Sequence, residues 1–181
     1  MALSLKRLVD NWTSYSYNGK PRQQVNPVAS FSVSKLAPIP AFDAFAVQFR
    51  FLPYSDTSRT FYEVTYLFHD ITYVEEQDAE HDLGVEIVPG TVRYINRPSY
   101  TRSPVQVSCM CQDFAFCFAV ALDRRDSLAA NLSYYPSAGY IRRTPPPPSG
   151  RPWANEKMVP TICKHLLRSV RTLSQKSFIQ P

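Results

Sequence analysis

The chain has 181 residues, 44% of them hydrophobic and 13% aromatic, with 16 prolines, 5 glycines and a formal net charge of +5. That composition supplies a core for one ordered, loop-rich domain without disulfide help, and it excludes a disordered or fibrous chain. No apolar run reaches the roughly eighteen residues of a membrane span, and the stretch Met1–Val9 is too short in its apolar part for a secretory signal, so a soluble, cytosol-made protein is expected.

Residues 4–11 read as a short amphipathic helix, with Leu5, Leu8 and Val9 on one face and Ser4 as its cap. Turn formers then dominate from Asn18 to Pro27, which predicts an extended arm that can lie on a partner. From Val28 the pattern changes to period two. Phe31 and Val33, then Phe45, Val47, Phe49 and Phe51, then Tyr62, Val64, Tyr66 and Phe68 alternate with smaller or polar residues and predict strands. Pro53–Ser58 reads as the turn between the second and third of these, which makes the sheet at least partly antiparallel.

Six of the fifteen acids, Glu75, Glu76, Asp78, Glu80, Asp82 and Glu86, crowd into twelve residues, and the segment 74–83 lacks an apolar period, so a solvated loop is expected there. Short strands resume at 85–88 and 91–95, split by Pro89-Gly90, and again at 105–109. A helix capped by Asp113 is expected to run to about Ala130, with Phe114, Cys117, Phe118, Ala121 and Leu122 on one face. Residues 134–160 are polar and prolyl, and Pro145–Pro148 reads as polyproline II. A last helix is expected from Thr161 to about Leu173, with Thr161 as cap and Ile162, Leu166, Val170 and Leu173 facing inward.

All four cysteines lie in the carboxy-terminal half, and three of them with one histidine form two tight pairs, Cys109-Met110-Cys111 and Cys163-Lys164-His165. Three thiols and an imidazole make the tetrahedral donor set of a structural zinc site, whereas a Cys-x-Cys disulfide would be strained. Residues two apart share a face on a strand, so Cys109 and Cys111 can bind one ion if Met110 points away. In mid-helix two such residues diverge by about 200°, so Cys163 and His165 must sit at a helix entrance, where free amide groups also favour a thiolate. The competing readings are that the cysteines simply fill core positions, with Cys117 a rival fourth ligand, and that a Cys111–Cys163 disulfide replaces the metal.

The spacing Cys-x-Cys, long spacer, Cys-x-His resembles the SWIM-type zinc finger, whose ligand positions match Cys109, Cys111, Cys163 and His165. Cys111-Gln112-Asp113-Phe114 is similar to that family's Cys-Pro-Asp-Phe helix entry, with Gln112 in place of proline, and Cys163-Lys164-His165 is similar to its close. The spacer is unusually long. Its content, Tyr140–Pro145, Gly150–Pro152 and Asn155–Cys163, resembles an extended SWIM-like segment of structural proteins in tailed bacteriophages. The resemblance covers about residues 103–173. It implies zinc as cofactor and a virion component in the head, neck, tail or baseplate, made in the host cytoplasm.

Other constellations carry less. His69-Asp70 and His81-Asp82 are adjacent pairs that rarely converge, and no phosphate loop or carboxylate pair is present, so no enzymatic activity and no small-molecule substrate are expected. From Arg124 onward ten Lys and Arg face only Asp126 and Glu156, a balance of +8. Arg142, Arg143, Arg151 and Trp153 mix guanidinium with aromatic surface and are the candidates for nucleic-acid or partner contact. The expected organisation is α+β: an amino-terminal helix and arm (1–27), a largely antiparallel β-rich lobe (28–102), and a two-helix zinc-stapled lobe with a proline-rich insertion (103–181). Two functions are weighed. One is a non-enzymatic adaptor that binds other virion subunits or copies of itself, and the alternative is a nucleic-acid-binding zinc-finger module.

Overall fold

Alternating apolar side chains build the first sheet. In the computed structural model, which describes residues 1–14, 28–39, 44–55, 58–129 and 159–181, β1 (Val28–Ile39), β2 (Ala44–Ser55), β4 (Val64–Ile71) and β8 (Val105–Cys109) pair in the order β1-β2-β4-β8. The two-residue β3 (Thr60–Phe61) adds to the end of β2. Every pairing in this sheet is antiparallel. A second sheet, which period two alone did not separate from the first, has the order β5-β7-β6 from β5 (Tyr73–Val74), β6 (Leu83–Val88) and β7 (Thr91–Ile95). Gly90, with φ +81, makes the tight turn after Pro89 that joins β6 to β7, a conformation that costs glycine least.

The inward rows of the main sheet are Val47, Phe49 and Phe51 on β2, Val64, Tyr66 and Phe68 on β4, and Val105, Val107 and Cys109 on β8, all buried. Edge-to-face pairs Phe49–Phe68 and Phe51–Tyr66, each 5.9 Å between ring centroids, tie neighbouring strands together. Helix α1 (Leu5–Ser14) contributes Leu5 and Leu8 to this core, and α4 (Lys164–Gln175) contributes Leu166, Val170 and Leu173. Burying each such side chain contributes about 1.5–3 kcal/mol, so the core dominates the stability of these elements. α1 is pinned at the entrance of α4, where Thr161 Oγ1 donates to the Leu8 carbonyl at 3.0 Å and Asn11 Nδ2 donates to the Pro160 carbonyl at 2.7 Å. The fold is thus α+β with open antiparallel sheets. No helix among the described residues is long and apolar enough to cross a membrane.

Three expectations need correction. The helix after Cys111 is capped by Cys111 itself, whose Sγ accepts from the Phe114 amide, and not by Asp113. It runs as α2 (Gln112–Cys117) and α3 (Ala119–Asp123) with a break at Phe118, and stops well short of Ala130. The chain turns at Asp126, with φ 53, because Ser127 and Ala129 pair with the free edge of β8: Val107 N donates to Ser127 O and Ala129 N to Val107 O. That edge bonding outweighs continued helix and removes an open strand edge. Thr161 likewise caps nothing, since its hydroxyl is used on Leu8, and Cys163 is the residue preceding α4. The arm expected at 18–27 and the polyproline run at 145–148 lie outside the described residues.

Candidate metal centre

The end of β8 and the start of α4 bring the two ligand pairs together. Cys109 is the last residue of β8 and faces the core opposite Val64 of β4, while Met110 turns outward and is 42% exposed. Alternation then returns Cys111 to the interior as the cap of α2. Cys163 sits in extended backbone, φ −80 and ψ 171, as the cap of α4, and His165 is the second residue of that helix. The entrance geometry expected for Cys163 and His165 therefore holds. The four side chains offer one ligand atom each, all within 4.8 Å of one another, and all four residues are buried. Cys109 Sγ lies 3.8 Å from His165 Nδ1.

Physical chemistry distinguishes this cluster from core filling. His165 turns Nδ1 toward the thiols, 3.8 Å from Cys109 Sγ, and its buried Nε2 has no hydrogen-bond partner among the described residues. Three buried thiols also divide unequally. Cys111 is held far below an ordinary thiol, chiefly by hydrogen bonds from the Cys109 and Cys163 thiols, with His165 and the Phe114 amide adding to them. Burial pushes Cys109 and Cys163 well above it. The Cys111 amide donates to Cys109 Sγ at 3.5 Å and the Phe114 amide to Cys111 Sγ at 3.3 Å, the donors that a sulfur-rich site needs to carry negative charge. This is a Cys3His site able to bind a metal ion. None of the cysteines is in a disulfide, and Cys117 is half-buried against the core, outside the cluster.

Two tyrosines that the sequence reading left as strand residues support the site. Tyr62 lies against the His165 imidazole at 4.4 Å between ring centroids, with the planes 36° apart. Tyr66 is fully buried, and its hydroxyl donates to the carbonyl of Leu166 in the first turn of α4. Burial, and then the charges of Cys163 and Cys109, push that phenol well above its ordinary value, so it remains a donor. Ser169 Oγ donates to the His165 carbonyl at 3.0 Å and holds the same turn. Period two put both tyrosines on one strand, whereas Tyr62 lies between β3 and β4; its stacking on His165 and the β4–β8 register, Val64 opposite Cys109 and Tyr66 opposite Val107, bring the two beside the cluster.

The weaker candidates separate. His81 Nδ1 pairs with Asp78, 3.0 Å away, on the exposed acidic segment, while Asp82 pairs with Arg97. His69 and Asp70 sit near the end of β4, outside the cluster. Arg142, Arg143, Arg151 and Trp153 lie outside the described residues. No protein-family model matches the chain, and no curated protein and no solved structure matches it.

Proposed function

We propose that this chain is a non-enzymatic structural adaptor in a multisubunit assembly, with zinc at Cys109, Cys111, Cys163 and His165 stapling the entrance of α4 to the end of β8. The observation that carries the reading is the convergence of four buried ligand atoms within 4.8 Å from segments separated by more than fifty residues. Three thiolates and an imidazole complete a tetrahedral zinc shell, and a shell filled by protein leaves no position for substrate or water, so the role is to clamp. Zinc-peptide folding energies of about 10–16 kcal/mol exceed the few kcal/mol needed to close a loop of this length. α2 and α4, joined through the ion, then form the two-helix stapled lobe that the ligand spacing implies.

The SWIM resemblance supports the same ligand set, and the likeness of residues 140–163 to segments of tailed-phage structural proteins supports a place in a virion. Elemental analysis of the purified chain tests the centre. About one equivalent of zinc is expected, falling sharply in Cys109→Ser and His165→Ala. A metal-free wild-type chain with titratable thiols sinks the clamp. Mass-spectrometric detection of the chain in purified phage particles tests the placement, and its absence from mature particles removes it.

A further inference from the structure

The metal ligands and the buried residues of α4 occupy one side of that helix, which leaves a distinct opposite side. At 100° per residue, His165, Leu166, Ser169, Val170 and Leu173 cluster on the buried face, and Lys164, Arg168 and Arg171 fall in a narrow stripe on the far side. Lys164 and Arg168 are partly exposed and Arg171 is exposed. None of the three forms an ion pair among the described residues. Residues 159–181 hold four cations and no carboxylate, a balance of +4.

The second sheet carries the opposite charge. Residues 73–97 hold six carboxylates against Arg93 and Arg97, a balance of −4. Both arginines are already used at home, Arg93 on Glu75 and Arg97 on Asp82, and Asp78 is occupied by His81. Glu76 and Glu80 are exposed and form no ion pair among the described residues. No ion pair among the described residues joins α4 to this segment.

We infer that the Lys164/Arg168/Arg171 stripe of one copy docks on the Glu76/Glu80 side of the acidic segment of a second copy, giving head-to-tail association of this chain. The inference rests on the assembly reading above and names a partner for it. Because the two surfaces differ, the contact is heterologous, and repeating it gives a ring or an open filament and not a closed twofold dimer. The acidic segment also disfavours a nucleic-acid partner, since it presents like charge to a phosphate backbone. Lys164 stands between two ligands, so the metal that fixes the first turn of α4 also fixes the start of the stripe.

Sedimentation equilibrium of the metal-loaded chain tests the contact. Association that grows with protein concentration is expected at about 0.01 M salt, where charges act over about 30 Å, and its loss at about 1 M, where they act over about 3 Å. Arg168→Glu with Arg171→Glu in one variant, and Glu76→Lys with Glu80→Lys in another, should each be monomeric alone and associate when mixed. A chain monomeric at low salt, association that ignores salt or the substitutions, or a mixture that stays monomeric overturns the proposal. Zinc is measured on every sample, so loss of the centre is read separately from loss of the contact, and Arg168→Gln with Arg171→Gln serves if the charge reversal unfolds. Anisotropy with a labelled duplex oligonucleotide completes the test. Binding that depends on the stripe while self-association does not overturns the proposal in favour of nucleic acid.

Discussion

The Cys/His corner and the acidic three-stranded sheet solve the same problem, fixing a short element to the body of the fold, by opposite means. At the corner the buried Cys109, Cys111, Cys163 and His165, with Tyr62 and Tyr66 beside them, surround the first turn of α4. On the second sheet Arg93–Glu75, Arg97–Asp82 and His81–Asp78 join strands and loop on the outer side, while Val85 and Ile95 are buried in the shared core and Tyr73 Oη donates to the Ala46 carbonyl at 2.9 Å. A metal coordinated there would concentrate stability in one event that fails as a unit. Exposed pairs spread it into contributions of roughly 0–1 kcal/mol that salt erodes gradually.

Removing metal should break this contrast most severely. If the clamp contributes energy of the zinc-peptide order, about 10–16 kcal/mol, and each kcal/mol is worth about 2–4 °C in a chain of this size, chelation should lower the midpoint by tens of degrees or abolish the transition. Circular-dichroism melts with and without chelator measure it. An unchanged melt would place the two regions on the same footing. The pH dependence follows from the thiols. In a metal-free chain that keeps its fold, Cys111 is held low while burial holds Cys109 and Cys163 high, so binding expels about two protons near neutrality. Metal affinity should therefore weaken by about 100-fold for each pH unit lowered, and competition with a chelator of known proton affinity reads that slope.

Tyr66→Phe comes next, because it sharpens what belongs to the corner beyond the ligands. The substitution removes the phenol's hydrogen bond to the Leu166 carbonyl, which keeps its bond within the helix, and should cost about 0.5–1.5 kcal/mol while zinc stoichiometry stays the same. Urea denaturation of the metal-loaded protein measures the loss. A cost near zero would mean that the ligands alone position α4.

How much of this was legible depends on the range of the interaction. Strands β2, β4, β6, β7 and β8 were readable because burial on one face imposes period two locally, and Pro89-Gly90 marks its own turn. The convergence of Cys109, Cys111, Cys163 and His165 was readable because a set able to share one ion constrains residue type and spacing together. The division into two sheets was not, since strand pairing is decided between segments and leaves no local period. The caps were misread for a different reason. Asp113 and Thr161 are better capping residues than cysteine, but the sulfurs of Cys111 and Cys163 are drawn to those positions by one another. Tyr62 and Tyr66 looked like ordinary strand aromatics until register and the Tyr62–His165 contact placed them beside the cluster.

The smallest effect belongs to the acidic segment, and it tests the other side of the comparison. Asp78 accepts from the amides of Glu80 and His81, each at 2.7 Å, and pairs with the His81 ring. The His81 amide, the Glu80 amide and then the His81 side chain hold its carboxyl below the usual value. A depressed folded value means that the charged form is favoured by folding. The contribution is therefore complete above the ordinary carboxylate value of about 3.9 and disappears as pH falls through the folded one. Asp78→Asn keeps an acceptor oxygen and removes the charge, so faster amide exchange at Glu80 and His81 is expected at neutral pH with the global melt unmoved. Hydrogen exchange followed residue by residue checks this. A melt lowered as far as in Tyr66→Phe would mean that the exposed loop is coupled to the core, because a solvated carboxylate has no other route to an effect of that size.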